Sequence, residues 1–202
     1  MNAQNNSKKI LLVFPVCLLL AVTKIGGQPV QYNLATMLKD GKLVTTPVQY
    51  TQPLAGPEKQ AINTRGLVWL KNVPFTEGTI NIDLRGKDVF LQSFLGIAFY
   101  GKDTSAYDVV YFRPFNFRHA DTLRRKWSVQ YMSIPNYDYA VLRKAHPQEY
   151  ENAVNPVPQA DEWFHATIVI RGEWITTYVN HSDKASLKVK KLSGATDGMI
   201  GL

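Results

Sequence analysis

The stretch Tyr107–Arg118, YDVVYFRPFNFR, gathers residue types able to grip a polar, ring-shaped ligand. A β-branched and aromatic run reaches Arg113; Pro114 then blocks the ladder and turns Phe-Asn-Phe-Arg across the strand end. In extended backbone Val109, Tyr111 and Arg113 share one face, with Asp108, Val110 and Phe112 on the other. A guanidinium at a strand end can fork onto a carboxylate or a hydroxyl. Asn116 and Arg118 add donors, and Tyr111 or Phe115 offers a flat ring for stacking. The same residues admit a purely structural arrangement, with Phe112, Phe115 and Phe117 in the core and Arg113 salt-bridged to Asp108 or Asp83.

Other side chains extend this candidate site. On a strand Trp127–Met132, Gln130 and Met132 face away from Val129 and Tyr131, so Gln130 can reach the surface that carries Arg113. His146, just before Pro147, is a candidate lid residue, while His165 beside Trp163 and Phe164 reads as an ordinary strand histidine. Asp83, Asp103, Asp108, Glu149 and Glu151 are the carboxylates from which a glycosidase pair, about 5–9.5 Å apart, would have to be drawn. Sequence alone brings no two of them together, so no catalytic residue is assigned. His119, His146, His165 and His181 lack metal-ligand spacing, and no metal or cofactor is expected. Gly101–Ser105 offers oxygens that suit calcium, but also makes an ordinary turn. No Gly-rich phosphate loop stands between a strand and a helix. Asn180-His-Ser182 matches a glycosylation acceptor, relevant in a eukaryotic secretory host.

Strands must position these groups. Gly78–Arg85 alternates Ile80, Ile82 and Leu84 with Asn81, Asp83 and Arg85, the period of a half-buried strand. Further strands are predicted at 66–70, 94–100, 107–113, 127–132, 163–171, 174–180, 187–190 and 199–202, with a tight hairpin at Arg171-Gly172-Glu173. One excursion departs from this pattern: Asn136 can cap a helix over Tyr137–Ala145, and Pro147 ends it, with a short second helix through Glu149 and Tyr150 as an option. The expected class is all-β, an antiparallel β-sandwich with one short helical insertion covering a face or an edge.

Composition sets the outer limits. At 202 residues the chain can bury one sizeable core. Lys8 and Lys9 precede an apolar stretch, Ile10–Val22, that is too short to span a bilayer comfortably and is followed by Gly26 and Gly27. Residues 1–27 are therefore expected to be a cleaved signal peptide, 28–60 an N-terminal strand and linker segment, and 61–202 the sandwich domain. Val16 before Cys17 disfavours a lipid anchor there. Residues 1–27 carry three lysines and no acid, so cleavage lowers the net charge from +7 to +4. Arg124-Arg125-Lys126 is the densest basic cluster and too short for a nucleic-acid tract. The expected product is a secreted, periplasmic or cell-envelope monomer without cysteine, nucleic-acid partner or stable membrane insertion.

The blocks GTINIDLRGKD, QSFLGIAFYGKDTSAYDVVYFRPFNFR, WSVQYMSIP and WFHATIVIRGEWITTYVN, with the terminal GMIGL, resemble the concanavalin A-like lectin/glucanase superfamily. More narrowly they resemble laminin G-like and 3-keto-disaccharide-hydrolase-type domains of exported bacterial proteins. The resemblance runs from about Leu67 to Leu202. It implies a jelly roll whose concave sheet carries a sugar site, and a last strand beyond Leu202, so the domain is expected either to lack that strand or to be cut short at Leu202. The Glu-x-Asp-x-Glu strand of the glucanase branch is absent, so no glucanase mechanism carries over. The expected function is carbohydrate binding or glycan processing through Tyr111, Arg113, Asn116, Arg118, Gln130 and His146. If the chain is an enzyme, it would be a glycoside or 3-keto-glycoside hydrolase. The alternative is a noncatalytic laminin G-like structural or protein-interaction module.

Overall fold

A computed structural model of the protein describes residues 16–24, 27–45, 50–58 and 60–202. Two antiparallel sheets are built from short strands. The first contains β1 (Val16–Lys24), β2 (Val30–Tyr32), β4 (Tyr50–Pro53), β5 (Ile62–Arg65), β7 (Gly78–Arg85), β12 (Phe164–Arg171), β13 (Trp174–Val179) and β14 (Leu187–Lys190). Its order is β14-β13-β12-β7-β1-β5-β4, with β2 attached to β1. The second contains β3 (Leu43–Thr45), β6 (Val68–Phe75), β8 (Leu95–Gly101), β9 (Tyr107–Phe112), β10 (Val129–Ile134), β11 (Glu151–Asn152) and β15 (Gly198–Gly201), in the order β11-β10-β9-β8-β15-β6-β3.

Alternation along each strand explains the layering. Ile80, Ile82 and Leu84 of β7 and Ala166, Ile168 and Ile170 of β12 meet Ile97, Phe99, Val110, Phe112, Val129 and Tyr131 of the second sheet in one hydrophobic cluster. Phe112 and Phe164 cross the gap edge to face with ring centres 5.1 Å apart. Each such large apolar side chain contributes about 1.5–3 kcal/mol through burial. The 171–174 hairpin forms as expected, with Arg171 opposite Trp174 and Gly172 at φ 57°, a left-handed conformation that glycine adopts without strain.

Four short α-helices accompany the strands among the described residues: α1 (Leu34–Lys39), α2 (Pro114–Phe117), α3 (Thr122–Arg125) and α4 (Tyr139–Ala145). The insertion helix starts later than expected. Asp138, rather than Asn136, caps it by accepting from the backbone N–H groups of Ala140 and Val141. Beyond Ala145 the chain turns instead of starting a second helix. Pro114 opens α2 at a position where its missing N–H costs nothing, so the expected turn after Arg113 is a single helical turn.

Lys8, Lys9 and the start of the apolar N-terminal stretch lie outside the described residues. The rest of that stretch is β1, which pairs with β7 from Leu20 opposite Ile82 to Lys24 opposite Gly78, and with β5 through Val16 and Cys17. Leu20 and Val22 enter the core. The segment expected as strand and linker supplies α1, β2, β3 and β4, joining both sheets. No helix among the described residues is long and apolar enough to cross a membrane.

Candidate functional site

Gly96, Tyr111, Gln130 and Glu151 form one rung across β8, β9, β10 and β11. Gly96 stands opposite Tyr111, Tyr111 opposite Gln130, and Gln130 opposite Glu151. Register places all four on the face turned away from the core, and Arg113, two positions after Tyr111, shares it. The rung is tight because Gly96 lacks a side chain: a Cβ there would sit 2.1 Å from the Val110 carbonyl oxygen and 2.5 Å from Tyr111 Cα.

Hydrogen bonds tie these groups together. Tyr111 donates its hydroxyl to Gln130 Oε1 at 2.7 Å, and Arg113 Nη2 donates to both Tyr111 Oη and Gln130 Oε1. Arg113 Nη1 donates to the Trp127 carbonyl at 2.7 Å and lies 3.8 Å from Glu151 Oε2. Arg143 of α4 approaches Glu151 from the other side, through Nε at 3.2 Å and Nη2 at 3.0 Å. One carboxylate thus serves two guanidiniums. Arg113 (5% exposed), Gln130 (1%) and Glu151 (4%) are buried although they lie outside the hydrophobic core. Burial pushes the Tyr111 hydroxyl up to about 12, against the opposing pull of Arg113 and Arg143. Desolvation likewise draws Arg113 below its ordinary value.

An aromatic rim surrounds this floor. Phe94 packs on Tyr111 and Phe115 at 6.2 and 5.5 Å, and Phe90 on Phe115 at 5.6 Å. Arg143 lies over the Trp127 ring at 4.2 Å and the Tyr139 ring at 5.9 Å. Tyr139 is also close enough to act electrostatically on Tyr111 and Arg113. Phe94 is 46% exposed and Tyr139 53%, so two rings stand in solvent above a charged, hydrogen-bonded base.

Of the six residues expected at the site, the structure brings Tyr111, Arg113 and Gln130 into direct contact. Asn116 is buried beside them and donates to the same Trp127 carbonyl as Arg113, at 3.2 Å. Arg118 turns away: it donates to the carbonyls of Pro158 and Val157 and lines a cleft of about 200 Å³ on the far side of Phe115, with Asp88, His119, Gln159 and Asp161. His146 pairs with Glu149 at 2.9 Å and packs edge-on to Tyr150 instead of reaching Arg113. Arg113 meets neither of its expected acidic partners. Asp108 points into the core, where Tyr131 and Ser193 donate to it and burial raises its carboxyl, and Asp83 faces His165 on the other sheet at 2.8 Å. Asp103 accepts from the Ser105 N–H and hydroxyl, closing its own turn. Among the described residues no group of three or more His, Cys, Asp or Glu is placed to hold a metal ion.

Glu151, Arg143, Trp127, Phe94 and Tyr139 complete the cluster without having been assigned to it from the sequence. Glu151 stood among the available carboxylates, but its two-residue strand β11 carries no periodicity, and Arg143 lies in the helical insertion, whose orientation no sequence pattern specifies.

No family model matches the sequence, and no curated protein aligns with it significantly. Among solved structures, the chain is similar to a carbohydrate binding module, CBM66, from Bacillus subtilis, at 12% identity and a TM-score of 0.51. The match covers 76% of this chain and 84% of that one. At that identity the likeness establishes the architecture: this chain is a mainly antiparallel β-sandwich.

Proposed function

We propose that the protein is a carbohydrate-binding module whose ligand lies on the outer face of the second sheet, above the Tyr111–Gln130–Glu151 rung. The observation that carries this reading is the convergence of Arg113, Tyr111, Gln130 and Glu151 on one outer face beneath exposed aromatic rings. Sugars bind by stacking an apolar ring face on an aromatic and by hydrogen-bonding their hydroxyls to planar polar groups. Phe94 and Tyr139 supply the planes. Arg143, held by Glu151 and braced on Trp127, supplies a partly exposed planar donor. Arg113 acts through others, as a positioning residue that orients Tyr111, Gln130 and the Trp127 backbone. The fold shared with a carbohydrate binding module supports this reading.

Binding is favoured over hydrolysis by the chemistry of the floor. Glu151 is the one carboxylate in the cluster among the described residues, and two guanidiniums already engage it. Cleavage of a glycoside by the usual route needs two carboxyls with different roles. The test is a glycan array probed with the full chain and with a Phe94→Ala/Tyr139→Ala variant. Retained binding to one glycan class, lost in the folded double variant, is the expected result; an array without a binder overturns the reading.

A further inference from the structure

The floor of the site holds more positive charge and more donors than the protein uses. Arg113 and Arg143 share the single carboxylate of Glu151, leaving one net positive charge in a buried cluster. Gln130 Nε2, on the outer face of β10, and Ser128 Oγ, one residue before that strand, are buried without a hydrogen-bond partner among the described residues, and Asn116 Oδ1 is likewise unpaired. A buried polar group left unpaired costs about 1–3 kcal/mol, so two unpaired groups able to donate beside an unbalanced guanidinium are a standing preference for an acceptor.

The surroundings strengthen that preference. The basic run Arg124-Arg125-Lys126 ends α3 directly before Trp127, and Arg124 lies over the rim residue Phe90 at 4.7 Å. Of the acids nearby, Asp88 lines a cleft together with Phe115, and three others are turned toward local partners. Asp121 caps α3, Asp138 caps α4, and Glu149 holds His146.

We infer that the ligand of this face is an acidic glycan, one carrying carboxylate or sulfate groups, whose anion completes the charge balance of Arg143 and Arg113. The inference rests on the carbohydrate-binding reading and narrows it. A planar carboxylate and a tetrahedral sulfate both present a pair of anionic oxygen acceptors to a guanidinium fork, and the experiment separates them.

The experiment is calorimetric titration of the full chain with dextran, dextran sulfate, polygalacturonate and poly-L-glutamate, at low and moderate salt, repeated with Arg143→Gln. Arg143 is the residue to replace because its side chain is 32% exposed, so the variant can fold where an Arg113 variant fails. The expected result is preference for dextran sulfate or polygalacturonate over dextran, weakening with salt, and an affinity loss of about tenfold or more in Arg143→Gln. Whichever acidic polymer binds identifies the acidic group. Equal affinity for dextran and the acidic polymers overturns the inference and leaves the carbohydrate-binding reading standing. Equal binding of poly-L-glutamate, or an unchanged Arg143→Gln affinity, also overturns it, by showing general polyanion attraction. If these polymers and the glycan array alike show no binding, both readings fall together.

Discussion

Arg113 illustrates how one side chain can organise a cluster while staying almost wholly buried. Its guanidinium is surrounded by the buried side chains of Tyr111, Gln130 and Glu151 and by the carbonyl of the partly buried Trp127. Replacing it with alanine leaves Glu151 dependent on the partly exposed Arg143 and strips the Trp127 carbonyl of its shorter hydrogen bond. Breaking a buried pair from one side costs about 3–5 kcal/mol, so Arg113→Ala should lower the melting temperature sharply. Thermal unfolding by circular dichroism checks this; a shift of only a degree or two would sink the positioning role. Arg143→Gln should cost much less stability, because its side chain is partly exposed, at 32%. The contrast between the two variants separates the floor of the site from its rim.

At the scale of elements, the rung depends on how closely β8 approaches β9. Gly96→Ala would drive a methyl group into the backbone of Tyr111, so it should both destabilise the sheet and displace the Tyr111 hydroxyl from Gln130. Denaturant unfolding together with glycan binding measures both effects, and full stability in that variant would contradict the register described. The first strand makes a second prediction. β1 fills the position between β7 and β5 and adds Leu20 and Val22 to the core. A chain beginning at Gln28 leaves β7, β5 and β2 without that partner, so it should unfold at lower denaturant and bind a hydrophobic dye more strongly than the full chain. Identical unfolding curves would show that β1 contributes nothing to stability. The sequence marked these same residues as targeting material because a short apolar run with a basic lead reads alike as an h-region and as a buried strand. Local pattern does not separate the two.

For the molecule as a whole, buried tyrosines set the alkaline limit. Burial raises Tyr111 and Tyr100 to about 12 and raises Tyr131 further still. An unfolded tyrosine ionises near 10. The unfolded chain therefore sheds these protons first, and the native state loses stability as the pH climbs from about 10 through 12. Each of Tyr111 and Tyr100 should contribute a loss on the order of 2 kcal/mol over that interval. Urea unfolding at pH 8, 10 and 11, followed by tyrosinate absorbance, tests this. A midpoint independent of pH over that range would contradict the burial of these hydroxyls.

The sequence by itself determined the class of the fold and most of its strands, because alternation such as Ile80, Ile82 and Leu84 against Asn81, Asp83 and Arg85 records which side of a sheet meets the core. The same period put Tyr111 and Arg113 on one face, with Gln130 on the matching face of its own strand. It could not say what stood opposite. Register across β8, β9, β10 and β11, and the path of the insertion bearing Tyr139 and Arg143, are set by long-range packing rather than by local spacing. Tertiary structure alone decided that Arg113 meets Glu151 instead of Asp108 or Asp83, since pairing brings together residues 38 positions apart while the pleat turns neighbouring Asp108 to the opposite side.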